Sequence, residues 1–214
     1  VYHVLNRAAG HTDLFRSTKD HLAFQKTLRD AHAKTPVEMF AYCVMSNHWH
    51  LVLRPKNDGD LSNFMRWLTL AHAQRWRAAH YTVGHGPLYQ GRFKAFAIEE
   101  DQHLLTVLRY VERNPLRANL VEKAEDWRWS SLHARTFGTL EEKAILTPWP
   151  IELPNNWLSL VNAPQTPAEE EAMQSSIARS RPFGTPAWQD RTAKKLGLLS
   201  CFRPIGRPKL ERKP

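Results

Sequence analysis

The chain has 214 residues, a formal charge of +9, 42% hydrophobic residues and eight Trp, enough for one main domain with an appendage. With 24% charged residues it has the composition of a packed protein, which excludes a disordered chain. No apolar run approaches the roughly 18 residues needed to span a bilayer, and the polar, interrupted start Val1–Arg7 is unlike a signal peptide.

In chain order, Val1–Arg7 reads as a strand, with Gly10 in the loop after it. Ser17 or Thr18 can cap a helix to about Ala33, with Leu22, Phe24 and Leu28 as apolar contacts, and Pro36 breaks that pattern. Val37–Met45 reads as a strand, Ser46-Asn47 as a tight turn, and His48–Arg54 as the strand that pairs back. Asp60 or Ser62 can cap a long helix to about Ala79. After the Gly84–Pro87 loop, Gln90–Ile98 is a short basic strand, and a helix runs from about Asp101 to Asn114, stopped by Pro115. The order βαββαβ predicts a ferredoxin-like α+β sandwich with additional helices.

Beyond it, residues 118–137 carry Trp127 and Trp129 and are expected to pack a helix against the body. Recurrent prolines (Pro148, Pro150, Pro154, Pro164, Pro167) mark 141–168 as a linker. Residues 169–181 and 185–199 suit short helices, and Arg203–Pro214 an extended or disordered tail. Between Arg179 and Pro214, ten Lys/Arg stand against only Asp190 and Glu211, nearly the whole excess of charge. A basic tail on a nearly neutral body is a footprint for nucleic acid, the other reading being a solvated, solubilising tail. Cys43 and Cys201 have neither partners nor metal-ligand spacing and are expected to be reduced and structural. The whole is expected to be cytoplasmic, and the absence of an initiating Met leaves room for native residues ahead of Val1.

Alternation makes Asn47-His48-Trp49-His50-Leu51-Val52-Leu53 informative. On a strand, Trp49, Leu51 and Leu53 share one face, suited to a core, while His48 and His50 share the other, close enough to hold one cation. Alone this is weak, because strand histidines often simply take local hydrogen bonds. The helix over 101–114 has a docking stripe of Leu104, Leu105, Leu108 and Val111. Beside it lie His103, Val107, Tyr110 and Asn114, with Tyr110 and Asn114 one turn apart. Asn114 can turn its amide oxygen to a cation and Tyr110 can present a phenol on the same edge. Read locally, the same Tyr is an amphipathic core residue and the same Asn a helix terminator.

The motifs together resemble one family. Met45-Ser46-Asn47-His48-Trp49-His50-Leu51-Val52, Gln90-Gly91-Arg92-Phe93-Lys94 and Leu108-Arg109-Tyr110-Val111-Glu112-Arg113-Asn114-Pro115-Leu116-Arg117-Ala118 occur in order, followed by Trp129-Ser130-Ser131, Trp188 and Gly206-Arg207-Pro208. The chain resembles the REP-associated tyrosine transposases, domesticated relatives of single-strand insertion-sequence transposases within the His-hydrophobe-His nuclease superfamily. The resemblance implies a catalytic domain over 1–140, a proline-rich linker over 141–168 and a basic helical segment and tail over 169–214. It also implies a nucleoid-associated enzyme that cuts single-stranded DNA beside palindromic REP hairpins and becomes attached through a 5′-phosphotyrosine.

In that setting Tyr110 is the nucleophile, and His48, His50 and Asn114 hold a divalent cation, Mg²⁺ or Mn²⁺, zinc being the alternative for imidazole ligation alone. His103 is a possible helper for the phenol. Arg92, Lys94, Arg207 and Lys209 would bind DNA, and bases could stack on Trp188, Tyr89 or Phe183. The tail could instead fold over the site and regulate access. Two readings compete: a hairpin-binding module with little cleavage, and a metal hydrolase in which water replaces Tyr110. The resemblance leaves monomer and homodimer both open.

Overall fold

β1 (Tyr2–Arg7) opens the computed structural model, which describes residues 1–203. After a 3₁₀ turn, Ser17 caps α1 (Thr18–Lys34) by a reciprocal box: its hydroxyl accepts the Asp20 N–H, and the Asp20 carboxylate accepts the Ser17 N–H. β2 (Val37–Val44) and β3 (His48–Pro55) form a hairpin, α2 (Asp60–Ala79) crosses back, and β4 (Lys94–Ala97) completes the sheet. The strand order is β2-β3-β1-β4 with every neighbouring pair antiparallel, the ferredoxin-like arrangement predicted from the element order.

Alternation along the strands then assigns each residue to a face. Trp49, Leu51 and Leu53 of β3 are fully buried in one core with Phe24 and Leu28 of α1 and Phe64, Met65 and Leu68 of α2. Each such side chain contributes about 1.5–3 kcal/mol by leaving water. Val52, on the opposite face, belongs to a second core with Phe40, Cys43 and Phe96 and with Leu104, Val107, Leu108 and Val111 of α3 (Gln102–Arg117). His48 and His50 share the face of Val52. The histidine row therefore looks toward the helix that carries Tyr110. Cys43 and Cys201 are both free and buried.

Three expectations are corrected. The strand expected over Gln90–Ile98 is regular only over Lys94–Ala97. Tyr89 bridges Ala8 and Lys94 pairs with Leu5, so five steps of chain run beside three steps of β1. The two surplus residues bulge, and Gly91 and Arg92 border both the space beside His48 and the one beside α2. Pro115 does not stop α3, which continues to Arg117. Proline removes only its own N–H, and the Ala118 N–H still reaches the Asn114 carbonyl at 3.0 Å, closing the last turn.

The proline-rich stretch is not a free spacer. After α4 (Ser131–Phe137) and the short α5 (Leu140–Lys143), it contains α6 (Trp157–Asn162), whose Trp157 and Val161 are buried in the α3 core. Arg113 donates to the carbonyls of Val161 and Asn162, and Arg109 to those of Ala163 and Pro164. These bonds seat α7 (Pro167–Arg179), whose Met173 enters the same core, and α8 (Pro186–Leu196) follows. No helix among the described residues is long and apolar enough to cross a membrane. Arg207, Lys209 and the rest of the expected tail beyond Arg203 lie outside the described residues.

Candidate active site

A cavity of about 410 Å³ opens between the sheet, α3 and α7. His48, His50 and Tyr110 line it together, with Arg7, Arg92, Lys94 and Arg117 around them and no carboxylate among the described residues of its lining. Sheet register explains the assembly. Lys94 lies opposite Leu5, Leu5 opposite His50, and Arg7 opposite His48, so all share the α3 face. Arg92 reaches the same space from the bulge. The structure thus brings His48, His50, Tyr110, Arg92 and Lys94 to one cavity, with Asn114 bonded to His50 behind it.

Each ligand candidate is held by a neighbour. Nδ1 of His48 lies 2.7 Å from Oδ1 of Asn47, a carbonyl oxygen that can only accept. His48 therefore carries its proton on Nδ1 and leaves Nε2 bare. Nδ1 of His50 meets Nε2 of His3 at 2.9 Å, and Nε2 of His50 meets the Asn114 amide nitrogen at 3.0 Å. The two histidine rings stand 4.9 Å apart, and the Tyr110 ring is 6.0 Å from His50. Burial pushes His48 down to about 4, with Arg7 and Arg117 adding to the effect, and holds His50 well below its ordinary range. Both imidazoles are neutral at physiological pH; His48 offers its Nε2 lone pair to a cation, and His50 offers its own once the Asn114 amide turns its N–H aside.

Tyr110 is only 3% exposed. Its hydroxyl accepts from Arg117 Nη2 and from Gln174 Nε2 of α7, each at 3.3 Å, and the Arg117 guanidinium lies 4.9 Å over its ring. Burial raises the phenol pKa, while Arg117 and Gln174 pull it back. Arg117 follows Tyr110 by seven residues, two helical turns, and so returns to the same face. It is in place because α3 runs on past Pro115.

Comparison with known proteins adds the family. A model described as "Transposase IS200 like" matches residues 1–114, from β1 through Asn114, and so spans both histidines and the tyrosine. The chain belongs to the IS200-like transposase family. The chain is 26% identical over 129 residues to a Haemophilus influenzae protein provisionally named a REP-associated tyrosine transposase, covering 54% of this chain and 73% of the relative. A solved REP-associated tyrosine transposase bound to a REP hairpin shares its fold, with a TM-score of 0.51 at 20% identity over 62% of this chain and 75% of that one.

Other expectations from the sequence do not survive the geometry. His103 does not line the cavity; its Nδ1 pairs with Asp101 at 2.8 Å and its ring packs on Phe183. Tyr89 and Phe183 are buried rather than free to stack on bases, Tyr89 accepting from Trp49 Nε1 and bonding His72. Trp188 is partly buried and lies against Gly184, where a Cβ would come within 2.7 Å of its ring. Glu99, Asp101 and His103 hold ligand atoms within 4.8 Å of one another. That cluster has a structural account: Asp101 caps α3, and Glu99 accepts the Thr185 N–H.

The sequence reading missed His3, Arg7, Arg117 and Gln174. His3 and Arg7 were accessible through topology, since a ferredoxin-like sheet seats β1 beside β3. Arg117 was accessible through its seven-residue spacing from Tyr110. Gln174 carried no signal, because α7 reaches the site only through the packing of α6.

Proposed function

We propose that this transposase is a metal-dependent single-stranded DNA endonuclease and strand transferase, acting beside REP-type hairpins through a 5′-phosphotyrosine on Tyr110. One observation carries the reading: a single basic cavity holds His48, His50 and Tyr110 side by side, with Asn114 bonded to His50. Two neutral imidazoles and a carboxamide form an uncharged donor set that suits Mg²⁺ or Mn²⁺ once a DNA phosphate supplies the negative charge. Bound there, the cation would polarise the phosphoryl oxygen and neutralise developing charge. The hairpin enters from the fold neighbour, which was solved with one.

The chain's own groups account for the remaining chemistry. The Tyr110 oxygen attacks the scissile phosphorus as the bond to the 3′ oxygen breaks. The phenolic proton passes by way of solvent to the departing 3′-hydroxyl, and the 5′ phosphate stays on Tyr110. Arg117, beside that oxygen, favours the phenolate that burial opposes. Arg7, Arg92 and Lys94 hold flanking phosphates. One phosphodiester is exchanged for another, so the 3′-hydroxyl can reverse the step and rejoin the strand without ATP.

The test is a labelled single-stranded REP hairpin incubated with Mn²⁺ and resolved on a denaturing protein gel. A labelled band at protein mass, abolished by chelator, is the expected result. Cut DNA without that band would replace Tyr110 by metal-activated water. Retention without either product would make the chain a hairpin-binding module.

Two further results are expected. Arg92→Ala and Lys94→Ala should weaken hairpin binding for all sequences alike and lower the slope of log K against log salt by about one each. Fluorescence anisotropy over a salt series checks this, and unchanged slopes would move the DNA off this wall. Because one chain supplies all four groups, mixtures of Tyr110→Phe and His48→Ala chains should stay inactive in the adduct assay. Recovered activity would show that two chains exchange tyrosines.

A further inference from the structure

We propose that His3 is a positioning residue for this site: it accepts the Nδ1 proton of His50 and so leaves Nε2 of His50 as the lone pair offered to a divalent cation. The inference rests on the reading of His50 as a metal ligand.

The argument begins with register. His50 lies opposite Leu5 and His3 opposite Val52, so the two histidines are diagonal neighbours on one face of adjacent strands. Their rings are 5.0 Å apart and within 13° of parallel, and Nε2 of His3 is 2.9 Å from Nδ1 of His50. Both rings are buried, at 0% and 3% exposure. Only one proton can occupy the contact between two neutral rings. On the far side of His50, the Asn114 amide nitrogen points at Nε2 from 3.0 Å. An amide nitrogen only donates, so Nε2 must be bare, and the His50 proton lies on Nδ1 and is given to His3.

His48 shows the same arrangement, with the carbonyl oxygen of Asn47 as acceptor. Each ligand imidazole thus gives its Nδ1 proton to a neighbour, the outer-shell arrangement that fixes tautomer and ring orientation at metal sites. His3 itself is not a ligand: it does not line the cavity, and its Nε2 is taken by His50. Packing alone does not account for it. His3 is 0% exposed and its Nδ1 has no partner, in a strand position that an aliphatic side chain would fill without an orphaned polar atom.

The test uses the full chain without DNA. Mn²⁺ affinity is measured by titration calorimetry for wild type, His3→Leu and His3→Gln, with far-UV circular dichroism confirming each fold. His3→Leu removes the acceptor and should weaken Mn²⁺ binding by about 10–100-fold, whereas His3→Gln supplies an amide oxygen and should restore much of it. In parallel, long-range ¹⁵N NMR of the metal-free wild type should show His50 protonated on Nδ1 and bare on Nε2. A His50 proton on Nε2, or a His3→Leu protein that binds Mn²⁺ as tightly as wild type, would overturn the proposal. If wild type binds no Mn²⁺ without a DNA phosphate, the NMR tautomer alone decides what His3 does. If His3→Leu does not fold, His3→Gln and the spectrum decide.

Discussion

Tyr110→Phe is expected to lower DNA cleavage by about 10⁴-fold or more while hairpin affinity stays at the wild-type level. The size follows from deleting the attacking atom itself, for which no neighbouring group substitutes. The selectivity follows from how little else that oxygen does. It accepts from Arg117 and Gln174 at 3.3 Å, and both side chains are exposed enough for water to take its place. The aromatic ring keeps its position 6.0 Å from His50, and its face still attracts the Arg117 guanidinium. Stability should therefore fall by no more than about 1 kcal/mol, read as a small shift in thermal midpoint. Cleavage that persists in Tyr110→Phe at the wild-type rate would transfer the attack to water and leave Tyr110 as a packing residue. The comparison is clean because the assay reads chemistry and the binding and melting controls read everything else.

The parts of the site that were legible in the sequence depend on short-range periodicity. The pairing of His48 with His50, and the separation of both from Trp49, Leu51 and Leu53, need only the two-residue repeat of a strand. Tyr110 and Asn114 need only the helical turn. What was not legible depends on partners distant in sequence. The bulge that displaces Arg92 exists because five steps of chain run beside three steps of β1, a mismatch that neither segment shows alone. His3 carries meaning only once β1 lies diagonal to His50. Pro115 was misread because a proline in a last turn removes one N–H without breaking the helix. The stretch with recurrent prolines was misread because punctuation outweighed anchors. Trp149 donates to the Phe40 carbonyl and Trp157 to Glu112, and these two bonds fasten the segment to the core.

Glu112→Gln should change how stability depends on pH, by an amount on the order of 3 kcal/mol between pH 4.5 and 7. Glu112 is 0% exposed on α3, facing away from the cavity, where it accepts from Ser131 Oγ and Trp157 Nε1, each at 2.9 Å. Burial raises its pKa from 4.5 to about 7, with those two bonds and Arg135 pulling it back. The folded state therefore holds this proton more tightly than the unfolded chain does. The stabilisation is complete below about pH 4.5 and is lost as pH rises through about 7. Glu38, held below its ordinary range by Arg54, acts in the opposite direction, so the wild-type curve alone mixes the two. Subtracting the Glu112→Gln curve isolates the term. The amide cannot titrate, and like the protonated carboxyl it offers one carbonyl to Trp157 and one donor that Ser131 Oγ can accept, so the two proteins should agree at low pH to within about 1 kcal/mol. The variant should then become the more stable of the two toward neutrality. Urea melts of both proteins across this range provide the check, and a pH-independent gap would place the titration on another group. The consequence reaches the site because Ser131 belongs to α4 and Trp157 to α6. One carboxyl group thus holds both helices against the back of the helix that presents Tyr110 and Asn114.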